Sequence, residues 1–212
     1  MRRIDLLKFP RIKRALGCRS EGHRIVARRF DREFFDGSRD VGYGGYTQDG
    51  RWSAVALRML LHYGLAAGAR VLDIGCAKGF LVQAFRDLGV EAYGIDISAY
   101  AISQSACPRY TIAMDVRDLS GWSPGAMMSG FDLVVSINTL HNLPRKEMAS
   151  TLRTLGMISR HQYITLDSWT NEPERMRMMA WNLTAQTMMS ETGWVAFFRD
   201  IGYVGDYDWF TP

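Results

Sequence analysis

Between residues 70 and 210 the chain alternates short, mostly apolar runs with longer segments whose apolar residues recur every three or four positions. The runs "RVLDIG" (70–75), "EAYGIDIS" (91–98), "YTIAMD" (110–115), "FDLVVSIN" (131–138), "HQYITLDSW" (161–169) and "VGDYDWF" (204–210) predict strands. The intervening 78–88, 99–105, 144–158 and 194–203 predict helices. Trp52, Val55, Ala56, Met59, Leu60 and Tyr63 place another helix ahead of the first strand. From about 172 a long helix is expected through "TNEPERMRMMAWNLTAQTMM", with Met176, Met179, Ala180 and Leu183 on one stripe and Asn171 and Glu174 as its capping box. Strands that are apolar on both faces and alternate with helices predict an α/β, doubly wound, Rossmann-like and mostly parallel sheet with helices on both faces. Ligands of such sheets bind at the carboxyl ends of the strands, so candidate chemistry is sought there.

Composition narrows the class without naming a function. The chain has 212 residues, 47% hydrophobic and 23% charged, which fits one soluble domain with a sizeable core. No stretch reaches the roughly 20 apolar residues of a membrane span, and no apolar run follows the basic start as a signal peptide requires. Cys18, Cys76 and Cys107 are odd in number and widely spaced, matching neither a disulfide framework nor a zinc site. A cytoplasmic, reduced protein without a metal is expected.

Charge changes that picture at one end. The net +4 conceals eleven Lys or Arg against three acids in residues 1–32, a local +8 that leaves about −4 elsewhere. We therefore divide the chain into a basic, partly helical N-terminal extension (1–40) and the alternating domain (41–212). A basic arm suits an anionic partner such as phosphate, nucleic acid or an acidic lipid surface, or is simply a solvated arm.

The first strand runs into Asp73-Ile74-Gly75-Cys76-Ala77-Lys78-Gly79, a G-x-x-x-G turn without the middle glycine of a dinucleotide fingerprint. A carboxylate about 4 Å from a pyrophosphate costs about 1–4 kcal/mol at solvent-like to surface-like dielectric. Opposite a sulfonium or an ammonium the same charge helps. Asp73 either does this or braces the loop by accepting its backbone N–H groups. Asp96 lies 21 residues beyond Gly75, the offset of a carboxylate that takes ribose hydroxyls. Asp115, at the third strand end, is placed to accept from an adenine amino group, with the Val116 N–H beside it.

"VLDIGCAKGFL", "GIDIS", "MDVRDL" and "FDLVVSINTLHNL" resemble, in order and spacing, the cofactor motifs of class I S-adenosylmethionine-dependent methyltransferases. The resemblance covers about residues 50–210. It implies that Asp73, Gly75, Cys76, Ala77 and Gly79 line the methionine and ribose part of S-adenosylmethionine. Asp96 would hold the ribose, Ile97 would pack on adenine, and Asp115 and Val116 would read its edge. S-adenosylhomocysteine would be the product. "YGGYTQDGRW", "SINTLHNL", "WNLTAQT" and "GDYDW" extend the likeness to a bacterial subgroup acting on small molecules. Ala77 departs from the glycine frequent in the wider family.

Methyl transfer requires a positioned nucleophile and, for hydroxyls, a proton acceptor. The N/D-P-P-Y/F sequence of many amino-group methyltransferases is absent after the fourth strand; Asn138 and His141 stand there instead. His141 is the leading base, or a histidine that fixes the loop. Asp167 is the alternative base, an anchor for the acceptor, or a strand-end cap. Trp169 offers an aromatic wall and Asn182 a polar substrate contact. In the glycine-rich stretch before the first domain helix, Tyr43 is a substrate contact, and Arg51 or Tyr46 meets the cofactor carboxylate as part of a lid. The acceptor expected is a small polar molecule, methylated on oxygen or alternatively nitrogen, and phosphorylated or nucleotide-linked if the arm guides it. An RNA methyltransferase using the arm, and an inactive cofactor-binding scaffold, are the other readings; an NAD oxidoreductase ranks last.

Overall fold

The computed structural model describes residues 1–10, 19–120 and 130–212. The arm's cations at 11, 13 and 14, Cys18, and the loop expected between the third and fourth strands (from 121 to 129) lie outside the described residues. Among the described residues, three helices, α1 (Glu21–Ala27), α2 (Arg32–Asp36) and α3 (Arg51–Tyr63), precede the first strand. They are followed by β1 (Arg70–Ile74), α4 (Phe80–Asp87), β2 (Glu91–Asp96), α5 (Ala99–Ser103) and β3 (Thr111–Ala113). The second half runs β4 (Phe131–Ile137), α6 (Arg145–Ile158), β5 (Ser159–Asp167), α7 (Glu172–Trp181), α8 (Glu191–Ile201) and β6 (Asp206–Phe210).

The six strands are parallel throughout, in the order β3-β2-β1-β4-β5-β6. Alternate strand residues face opposite layers. Leu72, Ile74, Val134, Ile164 and Leu166 join α6 and α8 side chains such as Leu152, Trp194 and Phe198. Val71, Leu133, Val135 and Tyr163 join Met59 of α3 and Leu81 and Phe85 of α4. Burial on both faces is why the strands read as near-continuous apolar runs. The strand order reverses between β1 and β4, so the crevice above their carboxyl ends is the topological switch point. Dinucleotide-binding sheets share this order, so topology places the site and the side chains must choose the ligand.

Two expectations need correction. The helix after β5 is short: α7 ends at Trp181, and Asn182 is extended (φ −70°, ψ 138°). The Asn182 side-chain Oδ1 accepts from Thr184 N (2.9 Å) and Ala185 N (2.7 Å), a local turn that outcompetes the helix. Leu183 therefore leaves the expected stripe; Met178 is buried instead, and Met176 is exposed. The capping box is also only half formed. Glu174 N donates to Asn171 Oδ1 at 2.9 Å, but the Glu174 carboxylate accepts from Thr170 rather than from the Asn171 backbone.

Much of the described arm folds back on the domain. Residues 2–4 continue the sheet beyond β6: Arg3 bridges Tyr207 in parallel, Tyr207 N donates to Arg2 O at 3.0 Å, and Ile4 N to Tyr207 O at 2.8 Å. Arg2 pairs with Asp206 at 3.0 Å, and Arg3 with Asp208 at 3.2 Å and Glu191 at 2.8 Å. Arg24 donates to Met179 O at 3.1 Å and Arg19 to Trp181 O, placing two cations on the final carbonyls of α7.

Candidate active site

The glycine turn is held by its neighbours. Gly75 has φ +77°, and a Cβ there would lie 2.1 Å from Thr139 Oγ1, so the loop after β4 presses against the turn where only glycine fits. Ala77 is also left-handed (φ +50°), the conformation glycine would favour, and its N–H donates to Asp96 Oδ2 at 2.8 Å. Gly79 (φ +71°) opens α4. The buried Cys76 side chain packs against Gly94 of β2, where a Cβ would meet its Sγ at 2.7 Å. Burial pushes the Cys76 thiol well above its usual range.

Two acids share this floor. Burial, then the neighbouring Asp96 charge, push the Asp73 carboxyl up to about 8. Asp96 is raised by burial, against the Ser98 and Ala77 N–H donors that favour its ionised form (2.8 Å each). Two desolvated carboxylates at one turn favour a cation beside them and disfavour a pyrophosphate. Next to Asp96, Ile97 is 53% exposed, an open apolar face at the position expected for an adenine ring. Asp115 is less available than expected: its carboxylate accepts from Arg117 N and Nε, both at 2.9 Å, and Arg117 also reaches Glu147 at 3.0 Å. Val116 packs against the core beneath. These residues fit an adenosine carrying positive charge at its far end.

At the switch point, Asn138 follows β4 in a left-handed conformation (φ +51°), which asparagine tolerates and which is common at functional sites. Its Oδ1 accepts from Thr165 Oγ1 at 2.8 Å, which orients the amide. His141 and Asp167 meet beyond it: His141 Nε2 lies 3.7 Å from Asp167 Oδ2, and His141 Nδ1 accepts the Asp167 backbone N–H at 3.4 Å. Both are buried. Burial raises the Asp167 carboxyl against the pull of His141 and of Asn182, whose Nδ2 donates to Oδ2. Asn182, expected to touch substrate, is thus engaged with the chain at both ends of its amide. Trp169 is half-buried just past β5, and its carbonyl accepts the Glu191 N–H at 3.0 Å.

Over the glycine turn lies an aromatic cover. Tyr46 stacks on Phe80 (5.3 Å, 16°) and lies 4.7 Å from Tyr43, which in turn stacks on Phe35 (5.9 Å, 22°). Burial, then Tyr43 and Asp73, raise the Tyr46 hydroxyl, which ties this cover to the turn electrostatically. Arg51 is turned to Asp49 (Nε to Oδ1, 2.8 Å) and lies on the Phe9 ring (5.3 Å). The sequence reading missed what fastens the cover: Lys78 Nζ is 2.7 Å from both Asp36 oxygens, and Tyr100 Oη donates to Asp36 at 2.6 Å. One signal was present. A lysine beside a helix N-terminus opposes the helix dipole and calls for an acid.

Comparison with known proteins agrees with this geometry. A methyltransferase domain family model matches residues 44–204. Ubiquinone biosynthesis O-methyltransferase from Pseudomonas aeruginosa is 32% identical over 90 residues, covering 41% of this chain and 38% of that protein. The enzyme of the same name from Albidiferax ferrireducens is 28% identical over 106 residues, 48% of this chain and 41% of that one. The chain thus spans about two fifths of the length of these relatives. Among solved structures, a SAM-dependent methyltransferase from Archaeoglobus fulgidus superposes with a TM-score of 0.55 at 18% identity, covering 81% of this chain and 72% of that one. Magnesium protoporphyrin IX methyltransferase from Synechocystis, solved with bound SAH, gives 0.54 at 16% identity, covering 74% and 78%. At such identities the structures speak for the fold alone. The family match carries the rest: its model spans residues 44–204, most of the chain, and the chain belongs to the methyltransferase domain family.

Proposed function

We propose that the protein methylates a hydroxyl oxygen of a small polar acceptor at the crevice between β1, β4 and β5. The observation that carries this reading is the buried His141–Asp167 pair, 3.7 Å apart, Asp167 at the end of β5 and His141 in the turn that follows β4. When bound, S-adenosylmethionine supplies a methyl group made electrophilic by its sulfonium. Asp73 and Asp96 hold the cationic and ribose ends, and Ile97, Asp115 and Val116 take the adenine. Tyr46 and Tyr43 exclude water. Asn138 orients the acceptor through its amide, and the His141–Asp167 pair holds the proton that the hydroxyl gives up. Oxygen is favoured over amine nitrogen by this proton-holding pair and by the absence of an N/D-P-P-Y/F sequence. The ubiquinone O-methyltransferase relatives support the same choice.

Nucleic acid is disfavoured as the acceptor. Arg2, Arg3, Arg24 and Arg28 of the basic arm bond to Asp206, Asp208 and Glu191, to Met179 O, and to Glu21. Purified protein incubated with methyl-labelled S-adenosylmethionine and a native extract should place label in the small-molecule fraction. His141→Asn should lower that rate by roughly 10²–10⁴-fold while leaving S-adenosylhomocysteine affinity within twofold. Label in RNA would overturn the choice of acceptor, and an unchanged rate in His141→Asn would overturn the base.

A further inference from the structure

The segment between α2 and α3 reaches the cofactor turn through one carboxylate. Asp36, at the end of α2, accepts from Lys78 Nζ (2.7 Å to each oxygen), from Tyr100 Oη (2.6 Å) and from the Tyr46 backbone N–H (3.2 Å). The Lys78 side chain is only 11% exposed and that of Asp36 25%, so the pair is largely shielded from solvent. Charge-assisted bonds of this length are among the stronger ones proteins make. Burial alone would push the Asp36 carboxyl up, yet Lys78, Tyr100 and the Tyr46 N–H together hold it below the usual carboxylate range. Arg32 stands beside the Tyr100 hydroxyl and completes the charged surroundings.

Lys78 sits between left-handed Ala77 and Gly79, the residue that caps α4. Its backbone therefore lies at a helix N-terminus, where the backbone dipole already presents positive charge. A cofactor that is itself cationic adds a third positive element to the same corner, and Asp36 is the acid in direct contact with Lys78. The same carboxylate fixes the backbone of Tyr46, whose ring stacks on Phe80 in the first turn of α4.

We propose that Asp36 is a positioning residue for the cofactor: through Lys78 and Tyr46 it fastens the aromatic cover over the glycine turn and cancels the Lys78 charge beside the sulfonium. The proposal rests on the reading that S-adenosylmethionine occupies this turn. It separates two ligands of nearly equal shape, because S-adenosylhomocysteine lacks the sulfonium charge.

Calorimetric titration of the full chain with both ligands tests it, using Asp36→Asn, Lys78→Met and the double variant. Asp36→Asn should raise the Kd of S-adenosylhomocysteine about tenfold through the loosened cover, and that of S-adenosylmethionine several-fold more. Adding Lys78→Met should abolish the difference between the ligands while leaving the shared loss. Trypsin cleavage after the exposed Arg39, slowed by S-adenosylhomocysteine in the wild type, should lose that protection in Asp36→Asn. Should Asp36→Asn fail to fold, Lys78→Met alone must still lose S-adenosylhomocysteine affinity and Arg39 protection. Equal losses for both ligands, or wild-type affinities in a folded variant, would overturn the proposal. Asp96→Ala keeps the two failures apart: unchanged affinity there would mean that the cofactor binds elsewhere, whatever Asp36 does.

Discussion

Replacing Asp73 with asparagine should make the protein without cofactor more stable, by an amount set by pH. In the folded chain Asp73 keeps its proton up to about pH 8, against an ordinary value of 3.8. The unfolded chain releases that proton first. Each pH unit between the two values therefore favours unfolding by about 1.4 kcal/mol. From pH 5 to pH 7.5 the wild type loses about 3 kcal/mol on this account. The asparagine amide would fill the same space without a proton to lose. Differential scanning fluorimetry of wild type and Asp73→Asn, without ligand, should show a Tm gap that opens above about pH 4 and is still small near pH 5. Between pH 5 and pH 7.5 the gap should widen by roughly 6–12 °C in favour of the variant for a chain of this length. Asp96 and Asp167, also raised by burial, slope the same way in both proteins and do not create the gap. The same variant should bind S-adenosylmethionine more weakly, because it cannot give up a proton to become the carboxylate that faces the cation. A gap independent of pH, or a variant less stable at pH 7.5, would refute the reasoning.

Other outcomes follow from the same geometry. Wild-type protein binding S-adenosylmethionine at pH 7 should release up to about one proton, read from calorimetry in buffers of different ionisation enthalpy, and Asp73→Asn should release none. Gly75→Ala, with its Cβ 2.1 Å from Thr139 Oγ1 and φ +77°, should cost roughly 2–5 kcal/mol in urea unfolding. Adding Thr139→Ala should recover only part of the steric cost, since the Thr139 Cβ that alanine keeps lies 2.7 Å from the same point. Asn182→Ala should cost about 1–3 kcal/mol, since Asp167 loses a donor and the Thr184 and Ala185 N–H groups lose their acceptor.

What could be read from the chain was whatever is local. A strand buried on both faces needs an unbroken apolar run, so β1, β2, β4 and β5 announce themselves, and the acids Asp73, Asp96 and Asp167 stand out as breaks in those runs. The glycine turn was legible because its residues are consecutive. The end of α7 was not, because "WNLTAQT" continues a helical composition and only the Asn182 side chain, held by Asp167 fifteen residues earlier, turns the backbone out. Net charge counted the arginines of the arm correctly and missed their partners, since Asp206, Asp208 and Glu191 are supplied by the far end of the chain. Asp36 escaped notice for the same reason: its partner Lys78 is 42 residues away.

The pairing of residues 2–4 with β6 bears on the order in which the molecule is assembled. Arg2 and Asp206 are 204 positions apart, so this edge closes only after β6 has been made. Contacts of such separation form late, because the entropy of closing the loop is lost before the contact returns anything. During synthesis β1, β2 and β4 can pair while the outer side of β5 still lacks its neighbour. Unpaired strand edges are templates for association with other chains. Residues 2–4 are thus made long before they find their place, and a delay in producing β6 lengthens the interval in which the growing sheet is open to its neighbours on the ribosome.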